Sequence, residues 1–489
     1  MQKRKLITLS IIAILIIAGA LFKLQNSGSW TLKEFNTQVL RWENCYGDFE
    51  CSTFRVPVDY KKIGDKTFTL KVLRHNAVDQ KDKLGVILVN PGGPGGSATD
   101  YAFSADLIVS EAINEKFDIV GFDPRGVNTS EPIRCLTNAE EDRYLNTDVS
   151  SNKKLRVAQV TAIAKDFAAK CAKAAGPKLG HYSTFEGAKD MEILRHLLGE
   201  KKLNYLGKSY GTYLGTLYAA LYPKSVGKMV LDGAVAPGVS IADQELTQAI
   251  GFEKALNNYL MKNKKIKLSD IKKLLAKSLT SPLEDKKGRL ATQSLVITAI
   301  AQSLYDSKHG WEDLTKALNL AIRSENPKMI FELADRYNDR DTAGNYYNNQ
   351  NDISTVISCL DWQDSRSILE IVADQKKFEK ASPIFGPYLS LSSLSCKYWK
   401  AKPVLPNINL SKINTAPILI VGVTQDPATP FKWSQILAKI FTNAELVTLK
   451  GEGHTGHNRG NACVDTAVDT YFLTGKIGPK GLICAQSGN

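Results

Sequence analysis

Two short stretches of the chain, Val86-Ile87-Leu88-Val89 and Ile418-Leu419-Ile420-Val421, are apolar at every position. Side chains of a strand alternate between its two faces, so a run with no polar member needs cover on both sides. That is the setting of a central strand in a parallel sheet with helices above and below. Further strand-like runs occur at Thr67–Leu73, Leu84–Asn90, Phe117–Asp123, Leu203–Lys208, Lys228–Asp232, Pro417–Gly422 and Glu445–Leu449. Helical patterns separate them: Glu186–Leu198 sets Met191, Leu194, Leu197 and Leu198 on one side, and Tyr213–Tyr222 closes before Pro223. The alternation predicts an α/β chain with a mostly parallel central sheet flanked by helices. It fails between Val239 and Pro406, where a Lys-, Leu-, Ala- and Asn-rich stretch keeps helical periodicity, and it resumes afterwards. The expected organisation is a core whose first part is residues 31–238, a mainly helical cap insertion over 239–406, and the rest of the core over 407–489.

With 489 residues, 43% hydrophobic and 23% charged, the chain can bury a full core. Its net charge of +13 is scattered in short lysine pairs. No basic run is interleaved with aromatics, so nucleic acid is not an expected partner; a lysine-rich surface, loosely drawn to an anionic cell envelope, accounts for the charge. Residues 1–25 combine the basic leader Gln2-Lys3-Arg4-Lys5, an uncharged apolar run Leu6–Phe22 and the small residues Ala18-Gly19-Ala20. That is the pattern of a signal peptide or a membrane anchor, and either one places the remainder outside the cytoplasm, secreted or anchored. The eight cysteines fall in four successive close pairs. Short loops favour disulfides Cys45–Cys51, Cys135–Cys171, Cys359–Cys396 and Cys463–Cys484. There is no Cys-x-x-Cys and no His at ligand spacing beside the cysteines, so no metal is expected.

Gly207-Lys208-Ser209-Tyr210-Gly211 fits G-x-S-x-G, with a strand running in and a helix leaving. Such a turn strains the serine, exposes its hydroxyl and tolerates only small neighbours, which makes Ser209 the candidate nucleophile. Upstream, Asn90-Pro91-Gly92-Gly93-Pro94-Gly95-Gly96-Ser97 follows a strand and lets backbone N–H groups approach a reacting carbonyl. The amides of Gly93 and Tyr210 are the candidate oxyanion donors, with Gly92 as the alternative register. The same loop matches G-x-G-x-x-A, a dinucleotide fingerprint, but Pro94 sits inside the turn and no acidic residue ends a strand about 20 residues later. No cofactor is expected. A serine nucleophile on this scaffold needs an acid and then a histidine downstream. Asp426, in Gln425-Asp426-Pro427-Ala428-Thr429-Pro430, is the acid, and His454, in Gly451-Glu452-Gly453-His454, is the base. His457 is the alternative base, otherwise read as a surface loop residue. Asp123 and Arg125, in Gly121-Phe122-Asp123-Pro124-Arg125-Gly126, are read as a structural loop.

In combination these segments resemble the exported tripeptidyl-aminopeptidase-like α/β-hydrolases of bacteria, relatives of the prolyl aminopeptidases. Asn90–Ser97, Gly121–Gly126, Gly207–Thr212, Leu231-Asp232-Gly233, Asp426–Pro430 and Gly453-His454 carry the likeness. Cys51 before Val56-Pro57-Val58-Asp59-Tyr60 and Cys359 before Asp361 extend it over nearly the whole chain from Cys45 to Cys484. Asn128 departs from the pattern, since relatives tend to have Gly there. The resemblance implies the α/β-hydrolase fold and an aminopeptidase that cuts short peptides from a free N-terminus through an acyl-enzyme. An aminopeptidase must also hold an α-ammonium group, which calls for a carboxylate in a partly dry pocket. Asp361 is the candidate, with Asp364 beside it. Two other readings stand: the same triad acting on esters or amides, and a non-catalytic binding protein on a hydrolase scaffold.

Overall fold

The computed structural model describes residues 30–64, 66–148, 153–362, 364–402 and 408–486; the proposed signal or anchor, residues 1–25, lies outside them. Ten strands form one sheet: β1 (Glu43–Tyr46), β2 (Phe49–Pro57), β3 (Thr67–His75), β4 (Gly85–Asn90), β5 (Phe117–Phe122), β6 (Leu203–Lys208), β7 (Val226–Asp232), and, after a two-residue pair β8 (Leu283–Glu284) and β9 (Leu290–Ala291), β10 (Ile418–Gln425), β11 (Ala444–Glu452) and β12 (Ile483–Ala485). Their order is β1-β2-β3-β5-β4-β6-β7-β10-β11-β12. From β5 to β12 every pairing is parallel, and β1, β2 and β3 extend the sheet antiparallel. This is the mostly parallel sheet expected from the alternation of strands and helices, in the α/β-hydrolase arrangement that the family resemblance implies.

The two all-apolar runs occupy β4 and β10, and both are central. Alternate residues enter opposite layers: Val86, Leu88, Ile418 and Ile420 pack in one core cluster, and Ile87, Val89, Leu419 and Val421 in the other. The antiparallel extension has less to bury. Along β2 the pattern alternates from Ser52 to Val56, buried then exposed, as for a sheet with one wet face.

Between β7 and β10 the chain leaves the sheet for a set of helices, the longest being Ile241–Lys262, Leu268–Thr280, Gln293–Leu304, His309–Arg323, Lys328–Tyr337, Gln350–Asp361 and Ile368–Ala381. They are amphipathic. Leu268–Thr280, for example, buries Ile271, Leu274, Leu275 and Ser278, which share one face at this spacing. Helices 252–334 close around a core of their own that includes Leu256, Ile300, Leu314 and Ile330. The four disulfides are Cys45–Cys51, Cys135–Cys171, Cys359–Cys396 and Cys463–Cys484. Among the described residues no helix is long and apolar enough to cross a membrane.

The loop after β5 has the structural part read for it. Asp123 accepts from Ser97 Oγ (2.9 Å), Thr99 N–H (3.1 Å) and Thr129 Oγ1 (2.9 Å), tying the loop after β4 to the one after β5. Arg125 is 1% exposed and donates twice to Asp190, at 2.8 and 2.6 Å. Asn128 has φ 41°, a left-handed conformation that glycine adopts freely and asparagine tolerates better than most residues.

Candidate active site

The loops that follow β4, β6, β7, β10 and β11 leave the same end of the parallel strands. Register shows how close they are: Asn90 pairs with Gly207, Lys208 with Asp232, and Gln425 with Glu452. Ligand sites of open parallel sheets form at this carboxyl end.

Ser209 has φ 54° and ψ −125°, and the helix Tyr210–Leu221 begins at the very next residue. This is three residues earlier than the periodicity predicts; Ser209 occupies the N-cap but its side chain makes no capping hydrogen bond. The turn is packed too tightly for side chains. A Cβ on Gly207 would stand 2.6 Å from the Gly211 carbonyl oxygen, and one on Gly211 would stand 2.8 Å from the Asn90 oxygens. The Ser209 N–H donates to the Asp232 carbonyl at 2.9 Å, which fixes the elbow to β7.

The glycine loop lies against the same turn. An ideal Cβ on Gly92 would be 2.9 Å from Ser209 Cβ and 3.0 Å from the Tyr210 nitrogen. The Gly92 N–H is taken by Asn90 Oδ1 at 3.0 Å. The N–H groups of Gly93 and Tyr210 meet no acceptor among the described residues. Of the two registers considered from sequence, Gly93 is the one with a free donor.

Asp426 and His454 come together on the loops after β10 and β11. His454 Nδ1 lies 3.0 and 2.9 Å from the two Asp426 oxygens. Asp426 is 3% exposed and accepts also from Ala428 N–H (2.9 Å), Thr429 N–H (2.8 Å), Thr429 Oγ1 (3.0 Å) and Thr455 N–H (3.2 Å). A carboxylate held by so many donors cannot swing away from the imidazole. The other side of the imidazole faces Gly233, where a Cβ would stand 3.4 Å from His454 Cε1.

His457 is not the surface loop residue expected. It is 1% exposed, and burial, with the Lys208 ammonium adding to it, pushes its imidazole down to about 3, so it is neutral. The short sequence distance from His454 concealed this, because the loop turns inward over the sheet after Gly456.

Asp361 sits at the C-terminal end of the cap helix Gln350–Asp361 and is 7% exposed. It accepts from Thr184 N–H at 2.8 Å and from Thr184 Oγ1, which in turn contacts the Tyr210 hydroxyl. Burial pushes its carboxyl up to about 7. Asp364 accepts from Arg366 at 2.7 Å and lines a cavity of about 490 Å³ between the helices that follow β7 and the segment around Tyr144 and Ile163. Three of its wall residues, or their neighbours, touch the loops of the site. Gln248 on its wall donates to the Ala428 carbonyl (2.9 Å), Trp362 stacks on Tyr213, and Ser354 follows Ile353, which packs on Gly95. Glu245, also on the wall, is 6% exposed. Its Oε1 accepts from Ser392, but its Oε2 has no hydrogen-bond partner and lies 3.8 Å from Arg366. Burial raises this carboxyl to about 7.

Sequence reasoning missed Glu245 and also Tyr305. The Tyr305 carbonyl accepts the His454 N–H at 2.8 Å, and its ring meets the imidazole edge-on at 5.1 Å. Neither residue sits in a motif, so only the fold could reveal them.

A family profile described as TAP-like protein matches residues 382–484. Over 486 residues the chain is 33% identical to Serine protease Hip1 of Mycobacterium tuberculosis, covering 94% of this chain and 92% of that protein. It is 34% identical to Carboxylesterase B of the same organism, covering 89% and 86%, and 30% identical to the Tripeptidyl aminopeptidase of Streptomyces lividans, covering 91% and 86%. With likeness of this length and the α/β-hydrolase sheet beneath it, the chain belongs to the TAP-like family of α/β-hydrolases and is a serine hydrolase.

Proposed function

We propose that the protein is an exported aminopeptidase that removes short peptides or single residues from a free N-terminus by acyl transfer at Ser209. His454 takes the Ser209 proton and then gives it to the leaving amine, while Asp426 holds the imidazole tautomer. The Gly93 and Tyr210 N–H groups stabilise the oxyanion, and water resolves the acyl-enzyme. The core is built from residues 31–238 and 407–489, and the cap, residues 239–406, selects the substrate. Relatives named serine protease and tripeptidyl aminopeptidase support the reaction class.

The observation that carries the aminopeptidase reading is the buried Glu245 carboxyl beside the cavity, whose Oε2 accepts no hydrogen bond and lies 3.8 Å from the Arg366 guanidinium. Glu245, Asp364 and Asp374 surround the Arg366 guanidinium, and the Lys397 ammonium donates to the Asp364 carbonyl; of these carboxyls Glu245 is the one we assign to an α-ammonium group. We place the amine there and not at Asp361, whose oxygens are engaged by Thr184. Export rests on the leader in residues 1–25 and on four disulfides, which persist in oxidising compartments.

A panel of peptide amides with free or acetylated N-termini, together with simple esters, tests the reading. Free-amine peptides are expected to be preferred, and Glu245→Gln is expected to raise KM for them while leaving ester hydrolysis unchanged. Preference for acetylated peptides and esters would remove the aminopeptidase and favour the esterase reading, to which the Carboxylesterase B relative lends support.

A further inference from the structure

Nothing in the acyl-transfer scheme uses Lys208, yet the residue directly before the nucleophile carries its ammonium group into the protein. Lys208 Nζ donates to the His457 carbonyl at 2.7 Å and stands 4.0 Å from Asp232 Oδ2. Asp232, at the end of β7, is fully buried. Its two carboxylate oxygens accept the N–H groups of Gly456 (2.8 Å) and His457 (2.9 Å), and its carbonyl accepts the N–H of Ser209. The segment just past His454 is therefore held at three backbone atoms by two side chains from beside Ser209.

We propose that Lys208 and Asp232 form a charged clamp that sets the His454 loop against the nucleophile elbow, with Lys208 as a positioning residue for the base. Structural filling alone is a poor account of these two groups. A buried ion pair is seldom more stabilising than apolar residues of the same size, so its value lies in the geometry it fixes. Here the geometry joins three segments distant in sequence: the elbow, the turn at Gly233 that the imidazole faces, and the loop of the base.

The charged and titratable groups that face Lys208 are Asp232 on β7 and His457, Arg459 and Asp465 past His454; Tyr101, from the helix Ala98–Phe103, and His454 face Asp232. Burial draws the Lys208 ammonium down from 10.5 to about 8. Above that pH the amine still donates to the His457 carbonyl, but Asp232 loses its countercharge and the loop rests on a lone buried carboxylate.

The clamp rests on Ser209 and His454 acting as proposed, and the test separates the two. The rate of phosphonylation by a fluorophosphonate probe reports the activated serine, and the probe carries no amine that titrates near pH 8 as a peptide N-terminus does. Ser209→Ala must abolish labelling; if it does not, the triad reading falls. Lys208→Met is expected to slow labelling roughly tenfold to a hundredfold, as displaced catalytic groups do. Lys208→Arg is expected to restore most of the rate and to move the wild-type decline above pH 8 to higher pH. Adding Asp232→Asn to Lys208→Met should recover part of the loss, because the lone charge is gone. Wild-type rates in Lys208→Met from pH 6 to 10, or strictly additive losses in the double variant, would overturn the clamp. If Lys208→Met does not fold, the comparison of Lys208→Arg with wild type across pH decides: identical alkaline limbs refute it.

Discussion

Replacing Asp361 by Asn separates two roles for one carboxyl, as amine ligand and as a strut between the cap and the elbow. In the structure Asp361 accepts from the Thr184 N–H and hydroxyl, and Thr184 reaches the Tyr210 side chain. An Asn in the same place keeps both contacts: its oxygen accepts the N–H and its amide donates to the Thr184 hydroxyl, which turns toward Tyr210. What changes is the charge. Burial raises the folded-state carboxyl from 3.8 to about 7, so between these values the folded form holds a proton that the unfolded form has lost. Wild-type stability from this group therefore falls as pH rises toward 7 and is level above it. From pH 5 to pH 8 the fall is about 3 kcal/mol, at 1.36 kcal/mol per pH unit over the interval up to 7. Asn does not titrate. Asp361→Asn should match wild type more nearly at pH 5 and exceed it by about 3 kcal/mol more at pH 8. At this chain length that is roughly 2–3 °C in melting temperature. Melting curves at pH 5, 6, 7 and 8 measure it, and the difference between the two proteins cancels every other titrating group. A difference that is constant or shrinks with pH would refute the argument. A rise in KM confined to free-amine substrates would show that Asp361, and not Glu245, holds the amine.

Two further substitutions test the placement of the triad. His454→Ala is expected to remove nearly all turnover. His457→Ala should leave kcat within a few-fold and destabilise by about 2 kcal/mol through the cavity it opens, because its clamp contacts are made by backbone atoms; the opposite pattern would transfer the base to His457. Gly92→Ala is expected to abolish activity on peptides and esters alike. Its φ of 103° is unfavourable for alanine, and the added methyl would stand 2.6 Å from the Lys208 carbonyl and 2.9 Å from Ser209 Cβ. Turnover near the wild-type level would mean that the glycine loop does not shape the site.

The readings that succeeded from sequence were those set by local physics. An all-apolar run must be covered on both faces, so β4 and β10 could be placed at the centre before any coordinates. A glycine on each side of a serine between strand and helix has a steric cause, and the contacts of Gly207 and Gly211 supply it. What escaped depends on contacts between distant segments. The register of β11 gives no sign that the loop after it dives beneath Lys208, so sequence alone leaves His457 on the surface. Tyr305 reaches His454 across about 150 residues of chain through a backbone carbonyl, and a carbonyl leaves no mark in composition or periodicity. Sequence points to Asp361 because a carboxylate there fits an amine, while the Thr184 that occupies it lies on the far side of the elbow in sequence. Lys208 stood in full view as the variable position of the motif, where the pattern itself invites no attention.

The cap also bears on how the site selects. It is joined to the core loops at separate points: the Tyr305 carbonyl on the His454 N–H, Gln248 on the Ala428 carbonyl, Asn349 on the carbonyls of Gly126 and Ile133, Asp352 on the N–H of Cys135, and Asp361 on Thr184. A lid swinging as one body would have to break all of these together. Each such bond is worth about 1 kcal/mol when exchanged for water and more when a buried group is left unpaired. Several of them hold the loops of His454 and Asp426 directly, so opening the cap would also loosen the proposed base and acid. The arrangement therefore favours a preformed wall over a closing gate. On the proposed reading, discrimination falls to the fixed shape and charge of the cavity beside Glu245 and Arg366, and substitutions on that wall should change KM for one substrate class without disturbing the chemistry proposed at Ser209.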